Sequence, residues 1–203
     1  NHFGQMLKRP GMQLCDRASP RDCARCFPDR SEQDFFLREM YIKRCLMLAD
    51  HFVSPSRFLA ARYAAWGLDA ARISVIENGM PEDGEAPPAP AAAPAPGEDL
   101  VLGFFGQISR LKGIDVLLDA AAVLDKAGVE GLRIDIHGDH AGQPPAFREA
   151  FEKRLEALPG NVRFCGPYEN RRVHALMRSV HGVLVPSIWW ENSPMVIQEA
   201  LLN

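Results

Sequence analysis

Apolar residues along this chain change their spacing several times, and each change predicts an element. The run "LVLGFF" at residues 100–105 is continuously apolar and closes on Gly106, which reads as a buried strand. Residues 113–128, "GIDVLLDAAAVLDKAG", place apolar positions at helical spacing and end on a glycine suited to a helix C-terminus. "LRIDIH" at 132–137 reads as a strand, and a proline opens the helical pattern at 145–158. "VRFCG" is a short strand, Asn170 opens a helix to about Val180, "GVLVPS" is a strand, and Ser193-Pro194 opens the last helix. Strands separated by helices of about 10–15 residues imply βαβ units and a parallel sheet. In such sheets ligands bind beyond the carboxyl ends of the strands.

The first half is less regular. Residues 32–49 predict a long amphipathic helix, "HFVSPS" a short strand with a helix from about Pro55, and "ISVIENGM" a strand running into an Asn-Gly turn. Only about two strands precede the Pro/Ala-rich stretch at 86–99, a stiff spacer with no core of its own. The expected organisation is therefore an incomplete α/β domain at 1–85, a loop or linker at 86–99, and a second α/β domain at 100–203. The chain is expected to be truncated at both ends. It opens in irregular polar sequence without preceding βαβ units, and it stops soon after the last helix begins. Open sheet edges of that kind would favour self-association.

Composition narrows the class. The 203 residues are 47% hydrophobic and 24% charged, as in soluble globular proteins. A net charge of −3 gives no basic surface of the nucleic-acid type. No apolar run approaches the roughly 20 residues of a membrane span. Five cysteines, an odd number, argue against a secreted disulfide scaffold and for a cytoplasmic protein. Cys45 and Cys165 lie in apolar sequence and are expected to be buried. Cys15, Cys23 and Cys26 form C-x7-C-x2-C, a candidate structural zinc set with His2, Asp16 or Asp22 as fourth ligand. Reduced cysteines in a loop are the alternative reading.

Two stretches carry chemistry. In "ENSPMVIQEA", Ser193 is expected as N-cap and Pro194 as the first helical residue. The free amides of Met195 and Val196, with the helix dipole, then offer an anion site. Glu191 precedes the cap, and Glu199 lies roughly 9 Å along the axis beyond it. An anion site between two hydrogen-bond acceptors suits a diphosphate with a sugar at one end and a ribose at the other. A capped helix with two solvated glutamates is the plainer alternative. In "FFGQISRLKGIDVLLDA", Gly106 follows a strand and Lys112 precedes a helix. Glycine permits close backbone approach to phosphate, and lysine supplies a point charge. In "HGDHAG", His137 or Asp139 could face a ligand, or the segment is a tight turn. Trp189 and Trp190 suit either sugar packing or domain packing.

Taken together, "GFFGQISRLKGIDVLLDAA", "LRIDIHGDH", "VRFCGPY" and "VPSIWWENSPMVIQEA" resemble the donor-binding domain of family 4 GT-B glycosyltransferases. Glu191 and Glu199 match that family's E-x7-E motif, and "ISVIENGM" resembles the segment that closes its acceptor domain. The resemblance covers roughly residues 50–203. It implies a retaining, hexosyltransferase-type enzyme with two Rossmann-like domains that moves a sugar from a nucleotide sugar, of the UDP or GDP class, to a glycan or lipid acceptor, as in polysaccharide biosynthesis. It implies that Gly106 lets the loop approach the diphosphate, that Lys112 neutralises the leaving phosphate, and that Glu191 meets the transferred sugar. Ser193, Pro194, Met195 and Val196 would present backbone amides to the phosphates, and Glu199 would hold the ribose. The family commonly has arginine where this chain has Gln107, a charge that Arg110 could supply instead. No divalent metal or other cofactor is required, and no Asp-x-Asp motif is present. Association with the inner membrane face is a further implication for the full-length enzyme. The alternatives are a catalytically silent nucleotide-sugar-binding module and a GT-B-shaped epimerase or phosphorylase.

Overall fold

Alternation along the strands sorts the side chains of this α/β protein into two cores, one on each face of a parallel sheet. The computed structural model describes residues 13–15, 19–80, 93–158 and 160–203. By its internal contacts the chain divides into two units. The first takes in the chain up to Gly79 together with Trp189–Ser193, and the second the remainder.

The second unit holds a four-stranded sheet of β3 (Leu100–Phe105), β4 (Leu132–His137), β5 (Val162–Gly166) and β6 (Gly182–Leu184), in the order β5-β4-β3-β6. All of its pairings are parallel, with Gly103 opposite Asp135 and Phe105 opposite His137. Phe104, Ile134 and Ile136 point to one face. There they meet Ile114, Leu117, Leu118 and Ala121 of α4 (Ile114–Lys126) and Phe151 of α5 (Pro145–Glu156). Those four α4 positions recur at three and four residues, which puts them on one stripe. Val101 and Phe105 point to the other face, against Val173 and Met177 of α6 (Val173–Met177) and Val180. Val196 and Ala200 of α7 (Met195–Leu201) join that second core. Gly128 closes α4 at φ +70, as its glycine predicts.

The first unit pairs two short parallel strands, β1 (Phe52–Ser54) and β2 (Ile73–Val75). Its helices are α1 (Pro20–Cys26), α2 (Glu32–Leu46) and α3 (Arg57–Ala65), capped by Ser19, Ser31 and Ser56. The Ser31–Asp34 pair forms a reciprocal capping box. Helix α2 departs from the expected amphipathic burial. None of its residues is buried, and Phe36, Leu37, Met40 and Tyr41 are exposed. Cys45, on the same helix, is exposed as well. So is Cys165, because β5 is an edge strand with a partner on one side only. Residues 81–92, which hold the first half of the predicted spacer, lie outside the described residues.

Candidate functional site

Three loops interlock at the carboxyl end of the second unit's sheet. The loop after β3 is fixed to the loop after β4 by two backbone bonds: the Gly106 amide donates to the His137 carbonyl at 3.1 Å, and the Ile108 amide to the Asp139 carbonyl at 3.0 Å. The same loop is fixed to the one after β6, where the Ile188 amide donates to the Leu111 carbonyl at 3.0 Å. Ile108 is fully buried and anchors the first loop in the core. Gly106 turns at φ +134, a conformation that L side chains rarely adopt, and the space above its Cα is open. Gly113 ends the loop at φ +75, and a Cβ there would collide with the Pro186 carbonyl oxygen. Both glycines are therefore demanded by backbone shape.

The predicted phosphate-side residues sit on this frame. Lys112 is half-buried, its amide donating to Ser109 Oγ at 3.4 Å, one residue before the glycine that caps α4. Gln107 is exposed. Arg110 is exposed too and pairs with Asp115, Nε to Oδ2 at 3.7 Å, so its charge is turned toward the first turn of α4. Asp115 and Asp119 also accept from Arg154 of α5, the first at 3.0 Å, which ties the two helices together.

Helix α7 begins one residue later than the sequence suggests. Pro194, at φ −71 and ψ 115, occupies the cap position with an extended backbone, and Met195 is the first helical residue. Ser193 is therefore not the N-cap, and no described side chain caps this helix. The division into units also falls inside the E-x7-E segment. Glu191 and Ser193 pack with the first unit, whereas Pro194, Met195, Val196 and Glu199 belong to the second. Glu191 accepts from Trp189 Nε1 at 3.0 Å. Trp190 packs on Phe58 of α3, ring centroids 5.3 Å apart, and Asn192 Oδ1 accepts from the Ser56 hydroxyl at 3.0 Å. That contact favours the packing reading of Trp190.

In the loop after β4, Asp139 is exposed and accepts the Ala141 amide at 2.8 Å, the local bond of a tight turn. His137 is buried. Its ring stacks on Phe105 at 4.8 Å and 1°, and its Nε2 has no hydrogen-bond partner. Burial lowers its pKa, Asp135 opposes that shift, and Arg163 reinforces it. Asp135, only 2% exposed, accepts from Arg133 Nε at 3.1 Å and from both Nε and Nη2 of Arg163. Ligand atoms of Asp135, His137 and Cys165 lie within 4.8 Å of one another. Two guanidinium groups already balance that carboxylate and oppose a cation beside it.

The candidate zinc set is not assembled among the described residues, which leaves the alternative reading of reduced cysteines. Cys15, Cys23 and Cys26 form no group of the required closeness, although burial and the neighbouring thiols raise the Cys23 pKa. Cys15 is buried in the first unit, where its carbonyl accepts from Arg62 at 3.1 Å, while Cys23 and Cys26 ride on α1. His2 and Asp16 lie outside the described residues. Sequence reasoning missed Tyr168, which stands edge-on to Phe105 at 6.0 Å and to His137 at 6.3 Å. Its place two residues beyond β5 was the available signal.

Glycine-shaped loops locked together beyond the carboxyl ends of parallel strands stand where open α/β sheets bind their ligands. Residues 99–202 match the glycosyl transferases group 1 family, and the chain belongs to that family. It is 32% identical over 140 residues to a D-inositol 3-phosphate glycosyltransferase of Mycobacterium tuberculosis, a match over 66% of this chain and 28% of the relative. The chain thus spans under a third of the length of the curated relatives it matches. Among solved structures, Anabaena Alr3699/HepE in complex with UDP superposes with a TM-score of 0.64 at 19% identity, over 86% of this chain and 48% of that one. A TarM mutant of S. aureus in complex with UDP gives 0.59 at 15% identity, over 82% and 31%. These likenesses bear out the α/β, GT-B class of fold. Among the described residues no helix is long and apolar enough to cross a membrane.

Proposed function

We propose that this chain is the donor-binding part, with a portion of the acceptor-side domain, of a retaining glycosyltransferase that moves a sugar from a nucleoside-diphosphate sugar to a glycan or lipid acceptor in the cytoplasm. Residues 1–85 are assigned to the acceptor side and residues 100–203 to the donor side. The observation that carries this reading is the interlock of the loops after β3, β4 and β6, with Gly106 and Lys112 on the first and α7 following the last. Family membership and the relatives' names supply the reaction class.

The chemistry follows from charge. Loss of a nucleoside diphosphate from an anomeric carbon leaves positive charge on the sugar and builds negative charge on the departing oxygen. Lys112 and the first amides of α7, at Met195 and Val196, supply fixed positive potential for that oxygen. Gly106 keeps Cβ bulk away from the diphosphate. Gln107 contributes an amide rather than a charge, and Arg110 stays with Asp115. Glu199 accepts from the ribose hydroxyls, and Glu191 from hydroxyls of the transferred sugar. No metal is assigned to the reaction.

The test is a panel of UDP- and GDP-sugars offered to the full-length protein, with and without glycan acceptors. Transfer that keeps the anomeric configuration supports the reading. Acceptor-free interconversion of the nucleotide sugars would make the protein an epimerase. A rise in melting temperature with no turnover on any acceptor would make it a binding module.

A further inference from the structure

Two tryptophans stand side by side after β6, and their indole N–H groups meet different ends. Trp189 Nε1 donates to Glu191 Oε1 at 3.0 Å. Trp190 Nε1 is buried without a hydrogen-bond partner, and its ring lies against Phe58 of α3 at 5.3 Å. The Arg62 guanidinium stands 5.8 Å from the Trp190 ring and 5.7 Å from that of Phe58, so this contact is aromatic and cationic rather than hydrogen-bonded. One residue beyond Glu191, Asn192 Oδ1 accepts from the hydroxyl of Ser56, the residue that caps α3. Glu191 is therefore flanked on both sides by residues tied to α3, in a segment that packs with the first unit. Its backbone is held from there, and its half-buried carboxylate accepts from Trp189.

We propose that Trp189 is a positioning residue for Glu191: the indole N–H holds the carboxylate in the rotamer that receives hydroxyls of the transferred sugar. This rests on the role of Glu191 in the donor-site reading above. The pair is chemically matched, since an indole N–H only donates and a carboxylate only accepts. The charge on the acceptor makes this one of the stronger kinds of hydrogen bond. A glutamate side chain turns on several torsions, and a bond at its tip fixes them before a ligand arrives. Less freedom is then left to lose when the sugar binds. The indole itself is a rigid body that gives up little freedom in serving as the donor.

The experiment is calorimetric titration of the full-length protein with UDP-glucose, UDP-galactose, UDP-N-acetylglucosamine and GDP-mannose, and with UDP and GDP as the sugar-free forms. The nucleotide sugar that binds tightest is then titrated into the variants. Glu191→Gln should weaken it by about tenfold and leave the sugar-free nucleotide within about twofold. Trp189→Phe keeps an aromatic ring and removes the N–H. It should weaken the nucleotide sugar by roughly threefold or more, again without moving the sugar-free nucleotide. Trp190→Phe removes an N–H that has no partner, so it should change neither affinity by more than about twofold. Equal weakening of both ligands by Trp189→Phe, an unchanged nucleotide-sugar affinity, or the same loss from Trp190→Phe would overturn the role of Trp189 and leave the donor-site reading in place. Failure of the wild type to bind any of these nucleotides, or an unaltered nucleotide-sugar affinity in Glu191→Gln, would overturn the donor-site reading and this inference with it.

Discussion

The imidazole of His137 lies flat on the ring of Phe105, centroids 4.8 Å apart and planes 1° from parallel. The two residues are also register partners across β3 and β4. Stacking on a neighbouring strand removes water from one face of the imidazole, and the Tyr168 ring stands at the side of the stacked pair. The charged form is therefore disfavoured.

That arrangement predicts a stability loss on acidification. Desolvation holds the folded pKa of His137 below its ordinary value, with Asp135 opposing the shift and Arg163 adding to it. The unfolded imidazole titrates near ~6.5, so below that pH the unfolded chain binds the extra proton. The contribution of His137 is fully present above that range and declines as pH falls through it. His137→Phe keeps an aromatic ring and removes the proton site. Across several pH values from neutral to mildly acidic, the urea midpoint of the wild type should fall relative to that of His137→Phe as pH drops. Parallel curves would show that His137 titrates normally.

Asp135 and Arg163 predict an asymmetry. The carboxylate is 2% exposed, whereas the Arg163 side chain reaches solvent. Arg163→Ala strands a buried carboxylate with Arg133 alone, and it should cost about 1–3 kcal/mol despite removing an exposed residue. Asp135→Ala frees two arginines that water can reach, so little of its cost should come from unpaired charge. Adding Arg163→Ala to Asp135→Ala should then cost under about 0.5 kcal/mol. Full additivity in denaturant unfolding would refute the coupling.

Strands β3 and β4 begin and end where their apolar runs do, because glycine turns and buried faces leave little choice of register. The Asp135 network was not legible, since Arg163 stands 28 residues away and only strand pairing brings it close. Likewise, eight positions from Glu191 to Glu199 fix a distance along the chain but not a packing partner. Trp190 finds Phe58, and this draws the 189–193 segment toward the first unit. The burial of α2 was misread for a related reason. Helical spacing of apolar residues describes a stripe, and the described residues place nothing over Phe36, Leu37, Met40 and Tyr41 that buries them.

Gly113 and Gly128 share a left-handed backbone, φ +75 and +70, but differ in surroundings. Alanine at Gly128 would meet open space and should cost only the conformational penalty, about 1–2 kcal/mol. Alanine at Gly113 would add a collision with the Pro186 carbonyl, backbone against backbone. Separating those segments also strains the bond from Ile188 to Leu111. Gly113→Ala should therefore destabilise by at least about 1 kcal/mol more than Gly128→Ala. Under the donor-site reading it should also weaken nucleotide binding, which Gly128→Ala should not. Equal losses of stability in thermal unfolding would mean that the loops part without cost.

Two basic residues stand on the loop after β3, and their surroundings assign them different fates. Arg110 is exposed and directed at Asp115, a pair worth under about 1 kcal/mol at the surface. Lys112 is half-buried at the end of the loop that starts with Gly106. If Lys112 stabilises the leaving diphosphate, its charge acts most strongly as the sugar–oxygen bond breaks. Lys112→Ala in the full-length protein should then lower kcat by more than about 100-fold with a smaller change in KM. Lys112→Arg should recover only part of the rate, since a guanidinium fork cannot reproduce a point charge at that spot. Arg110→Ala should stay within about threefold of wild type, the scale of a surface pair. Steady-state kinetics with a competent donor decide the matter. A large loss for Arg110→Ala with near-normal turnover for Lys112→Ala would move the phosphate contact to Arg110, and it would require that side chain to leave Asp115 when the nucleotide binds.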